Sequence, residues 1–541
     1  MTPPAVSTLD FSAAAGWPVR AAAHLLGAGL VLAVIVALPV APTDLDRHQL
    51  PKETVVHLAT WLAVLLARPL PARELRPAVR LALALLVGAA VISSLAAANV
   101  WLALRATSLL VTGAAALITA RHIAAAGGGT VLLSWCGVAG VVGAATGLLQ
   151  AYGFDSPLFA TNRVPGGTFG NRNFMAHFAG LTLPVLVLAT LSARRHWVAL
   201  LTALGCGVLV AAIILSRSRA AWLGSGLGVA TISAACFMAK RRHALPEVGR
   251  RAAWLGAAGI AAMLAALLVP NRLAWRSASP YSDTLIGIAN HDEGSGHGRV
   301  LQYGNTIHLA LRHPVLGVGP GNWPVRYADV APPADPSWVF GDVVPINPWP
   351  SSDWMALFSE LGFIGVAAVL LLGVAITWRA MVAVRSGGDR SLAGAALLGL
   401  LAVVLVEGSF DAVLLLPAPL LFVAMASAAL LERSDAKPAS EVHAPATAAP
   451  SALGLAVMLG ALTLWSGLQT GAYAVAGAGR SIPRLTWAAR IDPGSYPIRI
   501  ALAQRLGCAE ARADILAVIR MAPKWPATIA AARRCGIRIK A

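Results

Sequence analysis

The sequence predicts an all-helical protein that crosses a membrane about thirteen times. Three observations carry this reading. Of 541 residues, 57% are hydrophobic and only 12% are charged, with a mean hydropathy of +0.70; a soluble domain of this length carries far more charge. Apolar stretches of the length that spans ~30 Å of hydrocarbon recur along the chain. Lysines and arginines gather in alternate short loops, the pattern that fixes orientation in a bilayer.

In chain order, residues 1–21 form a cytoplasmic N-terminus. The stretch "HLLGAGLVLAVIVALPVA" opens the first span, 22–40; no convincing cleavage site follows it, so it is read as retained. Spans 54–68, 80–98, 101–120, 130–150, 173–191, 196–215, 219–239 and 252–269 complete transmembrane helices one to nine. A large loop, 270–354, is rich in Gly, Pro, Trp and His without low-complexity runs, the composition of an ordered segment. Spans ten to twelve lie within 355–431, at 355–384, 391–407 and 412–431. "ERSDAKPASEVHAPATAAP", 432–450, has the composition of a disordered cytoplasmic linker. A thirteenth span, 451–472, leads to a tail, 473–541, in which Pro493 and Pro523 stand thirty residues apart, each before an Ala-rich helical pattern. That spacing reads as a short tetratricopeptide-like (TPR) helical pair.

A cytoplasmic N-terminus places Arg68, Arg73, Arg76 and Arg80, Arg121, Arg194 and Arg195, Lys240 to Arg242, Arg250 and Arg251, and Arg379, Arg385 and Arg390 on the cytoplasmic side. The tail and the large loop then face the periplasm. The net charge of +18 follows these loops, which excludes nucleic acid as a partner. Cys136, Cys206 and Cys236 fall in spans and read as packing residues. Cys508 and Cys535 share the tail and pair if that side is oxidising. No cysteine or histidine spacing marks a metal site, and no cofactor is expected.

The arginines that break the charge bias are informative. Arg217 and Arg219, in "LSRSRAAW", face outward between two spans, with Arg163, Arg172, Arg272, Arg276, Arg299, Arg312 and Arg326. One reading is snorkelling to lipid headgroups. The other is an anion site, because guanidinium matches phosphate oxygens bidentately and keeps its charge. Ser216 or Ser218 would then cap the following helix and aim its amides at the same anion.

Four outward segments, "GGTFGNRNFMAHFAG" (166–180), "SRAAWLG" (218–224), the run from Arg299 to Trp323, and "DWMALFSELGFIG" (353–365), stand in that order along the chain. Together they resemble the motifs of the O-antigen ligase superfamily, which includes O-antigen ligases, Wzy-type polymerases and protein O-oligosaccharyltransferases. The resemblance implies a fold of the GT-C type. It implies a glycosyltransferase that moves a glycan, with inversion and without metal, from undecaprenyl pyrophosphate to an acceptor hydroxyl on the periplasmic face of the inner membrane. Its implied partners are that lipid-linked glycan, a glycan or lipid A-core acceptor, membrane lipid and other polysaccharide-assembly proteins. Arg219 and Arg299 correspond to the family's two arginines, and Arg217 is an addition of this sequence.

Asn171, Arg172 and Asn173, in the first segment, and Ser351 and Ser352 before the last are further candidate substrate contacts. Where the family carries His-Asn, this chain has Ser351 and Ser352, while Asp353 and Trp354 fit the acidic and aromatic positions. A serine takes no proton unaided. Three readings remain open: another outer group serves as base, with His313, His308, His297, Asp353 and Glu360 nearest; the transfer needs little base; or the chain binds donor without turning it over. Glu360 is equally well read as the partner of an outward arginine. His177, in the first turn of span six, reads as a packing residue or an interfacial hydrogen-bond partner ahead of a substrate contact. Trp323, with Trp338, Trp349 and Trp354, is a candidate sugar-stacking residue, against the alternative of an interfacial aromatic belt. A transporter is disfavoured, because Arg105, Glu407 and Asp411 lie near span ends and the large loop has no counterpart in the other half.

Overall fold

The computed structural model describes residues 16–67, 75–242, 248–275, 277–289, 294–332, 335, 348–435 and 450–539. Arg276, Trp338 and most of the expected linker lie outside them. The described chain is helical throughout: α1 (Trp17–Ile35), α2 (Asp44–Ala67), α3 (Pro77–Leu95), α4 (Val100–Ile123), α5 (Gly129–Ala151), α6 (Arg172–Ser192), α7 (His196–Ser216), α8 (Arg219–Arg242) and α9 (Val248–Leu268). There follow α10 (Pro280–Ala289), α11 (Gly294–Arg312) and α12 (Trp323–Tyr327). Then come α13 (Asp353–Val384), α14 (Gly388–Phe410), α15 (Pro417–Ser434) and α16 (Pro450–Ala476), and in the tail α17 (Ile482–Ile491), α18 (Tyr496–Ala503), α19 (Cys508–Met521) and α20 (Pro526–Arg534).

Among the described residues, eleven helices are long and apolar enough to cross a membrane, against the thirteen expected. Two features account for the difference. The expected spans 101–120 and 130–150 are α4 and α5, which follow each other with no extended loop and so count as the single stretch Val100–Ala151. α4 and α5 are joined by a π-turn, Ala124–Gly128, in which Gly127 takes φ +93, a conformation open to glycine without steric cost. The expected span 412–431 falls on α15, which has 18 residues and ends in Glu432, Arg433 and Ser434. The chain is a multi-pass membrane protein.

α6 is the hub, buried along almost its whole length from Phe174 to Leu191. Its neighbours are α5, α7, α8 and α14. α8 and α14 approach closely because Gly228 and Gly399 face each other; a Cβ on Gly228 would lie 3.2 Å from the Gly399 carbonyl oxygen. α9 lies at the edge against α7. The fully buried Lys52 is satisfied without a counter-ion: its Nζ donates to the carbonyls of Ala33, Val34 and Val36 at 2.8–3.0 Å, caps for the last turn of α1.

The tail folds as two helical hairpins, α17–α18 and α19–α20. Their turns carry matching sequences, Asp492-Pro493-Gly494-Ser495-Tyr496-Pro497 and Ala522-Pro523-Lys524-Trp525-Pro526. The two aromatic residues meet edge to face, with ring centroids 4.5 Å apart. A disulfide joins Cys508 to Cys535. The hairpins dock on the start of α4 and on α12: Trp101 Nε1 donates to Asp492 at 2.8 Å and Trp525 Nε1 to the Pro324 carbonyl at 3.0 Å.

Candidate substrate site at the arginine end of the bundle

The starts of α6, α8 and α13 and the ends of α7 and α14 lie at one end of the bundle, with α10 and α11 beside them. "GTFGNRNF" forms a tight turn there: Gly167 and Gly170 take φ +50 and +78, and a Cβ on Gly170 would collide with the His48 ring. Asn171 then caps α6, its side chain accepting from the Asn173 amide at 2.9 Å. This fixes Arg172 and Asn173 as the first residues of the helix.

α7 ends with Arg217 in the left-handed region, φ 55, and Ser216 Oγ accepts the amide of Ser218 at 3.1 Å. Arg217 stacks over the Trp275 ring at 4.7 Å, and Arg172 over the same ring at 5.1 Å. Arg217 Nε also donates to Thr284 Oγ1 at 2.9 Å, and Arg219 Nη1 donates to the Gly287 carbonyl. Both arginines of the turn thus hold α10. Arg219 feels the repulsion of Arg299 from α11. Arg172, Arg217, Arg219 and Arg299 form one positive surface, and one Arg299 nitrogen, Nε, is buried without a hydrogen-bond partner among the described residues. Asn171, Asn173 and these four arginines are brought together by the fold.

Against this surface lies a line of acid, imidazole and acid whose members were not grouped in the sequence. His177 Nδ1 is 3.4 Å from Glu407 Oε2, and its Nε2 is 3.5 Å from Asp411 Oδ2. Asn173 Nδ2 donates to that same Asp411 oxygen at 3.0 Å. Glycines make the room: a Cβ on Gly224 would lie 2.7 Å from Glu407 Cγ, and one on Gly180 would collide with Glu407 Oε1. Burial alone would push the Asp411 carboxyl up, but His177, Arg299 and Asn173 outweigh it and hold the carboxyl below the usual range. Tyr303, on α11, is pushed up to about 12 by burial, with Arg299 opposing and Asp411 adding. The readable signal was the i,i+4 pair Glu407 and Asp411 at the end of a span; its histidine stands 230 residues earlier in the chain.

The other candidates have different surroundings. Glu360 is partnered by backbone and not by an arginine: its two oxygens accept the amides of Gly321 at 2.8 Å and Trp323 at 3.1 Å. The reason is a break in α13 at Gly362, φ +60, ψ −160. The segment "HPVLGVG" is stitched into that break, with the Phe363 amide on the Pro314 carbonyl at 2.8 Å, Val318 on Ser359 at 2.9 Å and Gly319 on Glu360 at 3.1 Å. The Gly-rich run and "SELGFIG" are two halves of one structural joint.

Trp323 is corrected from a sugar-stacking to a core residue. It is 1% exposed, stacks on Tyr327 at 4.4 Å between centroids, and donates to Thr306 at 3.0 Å. His313 is exposed at the far end of α11. It stands fourteen residues, or about 21 Å of helix rise, from Arg299, and is not part of the arginine surface. Asp353 accepts the amides of Val413 at 3.0 Å and Leu414 at 2.9 Å. Ser352 caps α13 and donates to the Gly408 carbonyl at 2.9 Å. Tyr303 Oη bridges the carbonyls of Ser351 at 2.6 Å and Ser409 at 2.7 Å. Ser351, Ser352 and Asp353 therefore strap the end of α14, and with it Asp411, to α11 and α13. Behind the strap an apolar cavity of about 790 Å³ runs between α3, α4, α13 and α15, lined by Leu83, Leu109, Leu361 and Leu420, with Trp349 and Asp353 at its near wall.

Compared with known proteins, residues 204–370 match the family model described as O-antigen ligase. That segment holds Arg217, Arg219, Arg299 and the joint at Gly362; Asn171 to His177, Glu407 and Asp411 lie outside it. No curated protein matches the chain.

Proposed function

We propose that this chain, which carries an O-antigen ligase domain and stands with membrane enzymes of the ligase and polymerase type, transfers a glycan from undecaprenyl pyrophosphate to an acceptor hydroxyl on the periplasmic face of the inner membrane. The architecture would be of the GT-C type. The observation that carries the reading is the convergence of Arg172, Arg217, Arg219 and Arg299 from α6, the α7–α8 turn and α11 onto one surface. A pyrophosphate leaving group gains negative charge as the sugar–oxygen bond breaks. Fixed guanidinium groups stabilise that charge more in the transition state than in the ground state. They keep their charge at any relevant pH, so no metal ion is needed for this step. Direct displacement by the acceptor on the face opposite the leaving group inverts the anomeric centre. The leucine-lined cavity suits the lipid chain of a membrane-borne substrate.

Among acceptors, a growing glycan or lipid A-core sugar fits a ligase or polymerase. A protein acceptor is the alternative for which the two tail hairpins, docked beside this end of the bundle, would serve as a peptide surface. A second reading, a donor-binding assembly protein without turnover, is favoured by Ser351 at the position of the family's histidine. The test is a transfer assay with the full chain in liposomes, EDTA present, and undecaprenyl-pyrophosphate glycan extracted from the host. Release of free undecaprenyl pyrophosphate with a glycan product of defined size establishes the transferase and separates ligase from polymerase. Donor that binds and is never consumed supports the binder.

A further inference from the structure

We infer that Asp411 is the group that accepts the acceptor's proton, and that His177, Glu407 and Asn173 are its positioning residues. This rests on the glycosyl-transfer reading above. The carboxylates packed around the site differ in what occupies them. Glu360 and Asp353 are each filled by two backbone amides. Glu407 is 0% exposed, sealed behind His177. The Asp411 side chain is 16% exposed and lies within the field of Arg299. It alone of these four combines access to solvent with a place at the edge of the arginine surface.

Its orientation is over-determined, as a base for a positioned hydroxyl requires. Asn173 donates to Oδ2, the His177 imidazole stands 3.5 Å from the same oxygen, and the residue's neighbour Ala412 donates its amide to Oδ1 at 2.9 Å. Val413 and Leu414, clamped by Asp353, stop the loop from swinging away. Tyr303 ties Ser409, two residues earlier, to Ser351, so the α14 end sits beside the strap that precedes α13. His177 is gripped from behind by Glu407, and the pocket for that carboxylate is kept open by Gly180 and Gly224. A carboxylate used only to neutralise Arg299 would not require this second acid behind the imidazole.

The acceptor hydroxyl oxygen forms a bond to the anomeric carbon. The bond from that carbon to the pyrophosphate oxygen breaks, its electron pair staying on the pyrophosphate against Arg219 and Arg299. The hydroxyl proton passes to Asp411, which releases it to water before the next turnover. Nothing is oxidised or reduced.

The test compares wild type, D411A and R299A in liposomes with host-extracted undecaprenyl-pyrophosphate glycan, with and without sodium azide. Azide is a nucleophile that carries no proton, so it needs no base. The expected result is that D411A loses about 10²- to 10⁴-fold in transfer to the hydroxyl acceptor, still binds donor within a few-fold of wild type, and consumes donor to a glycosyl azide when azide is present. R299A, which lacks leaving-group stabilisation, should not respond to azide. D411A that transfers within a few-fold of wild type overturns the proposal. So does D411A that binds donor but makes no glycosyl azide, because Asp411 would then be a structural counter-ion. Should D411A not reconstitute, D411N, which keeps the side chain's shape, is read by the same criteria. A wild type that binds donor without consuming it overturns the glycosyl-transfer reading itself, an outcome distinct from a defect confined to Asp411.

Discussion

Arg217 lies over the indole of Trp275 at 4.7 Å, and that same ring carries Arg172 at 5.1 Å on a separate helix. Two cations from α6 and the end of α7 are thereby held near one another despite their repulsion. A cation–π contact of this kind contributes roughly 0.5–2 kcal/mol. Trp275→Ala is expected to weaken donor binding by about 2- to 30-fold, while Trp275→Phe keeps most of it. Titration of reconstituted protein with donor reads the difference; equal affinities for Trp275→Ala and wild type would remove the ring from the site.

Arg219→Ala and Arg299→Ala should each abolish measurable transfer while leaving membrane insertion intact. Losing one fixed donor to developing charge costs about 10²- to 10³-fold in kcat. Initial rates of undecaprenyl pyrophosphate release check this, with membrane association that resists alkaline carbonate extraction as the control. Unchanged rates in either variant would dissolve the arginine clamp. Because Arg219 also holds the Gly287 carbonyl, Arg219→Lys is a useful companion: it keeps charge and loses the planar fork.

Glu360 is expected to behave as a structural residue. Removing its carboxylate strands the amides of Gly321 and Trp323, each worth about 1–3 kcal/mol when left unsatisfied. Glu360→Ala should lower the melting temperature of the detergent-solubilised protein by several degrees. Glu360→Gln, whose carbonyl oxygen still accepts one amide, should fold and retain transfer within about tenfold. A well-folded Glu360→Gln that is inactive would return this residue to the chemistry.

The Cys508–Cys535 disulfide closes 27 residues of sequence separation around α19 and α20. Such a loop corresponds to about 3–4 kcal/mol of restricted unfolded-state entropy. Alkylation before and after reduction should shift the mass by two adducts at these cysteines. Cys508→Ser should make the tail more susceptible to limited proteolysis with the membrane helices intact. Free thiols in the purified native protein would place the tail in a reducing compartment.

The alternation of charged loops, the arginines that break it and the four motif segments were all legible in order along the chain, because hydrophobic spans and charged turns are local properties. Arg217 and Arg219 could be read as an exception for the same reason. The roles of Glu360 and Trp323 could not. Nothing in "SELGFIG" shows that α13 breaks at Gly362 and receives the segment ending "GVG", so a carboxylate at a span end looked like a partner for arginine. The expected spans 101–120 and 130–150 are α4 and α5, and what the sequence left open was how short their connection is: the chain turns between them at Gly127, φ +93, with no extended loop.

The sequence by itself determined that the chain is a multi-pass helical membrane protein with fixed cations gathered at its turns. Apolar length and the cost of placing charge in hydrocarbon leave little else open. Only the tertiary structure decided which cations share a surface and what faces them. His177 stands 230 residues before Glu407 and 234 before Asp411 in the chain. Their meeting depends on α14 packing against α6 through glycines small enough to admit a buried carboxylate, and that is a property of packing, which no local pattern encodes.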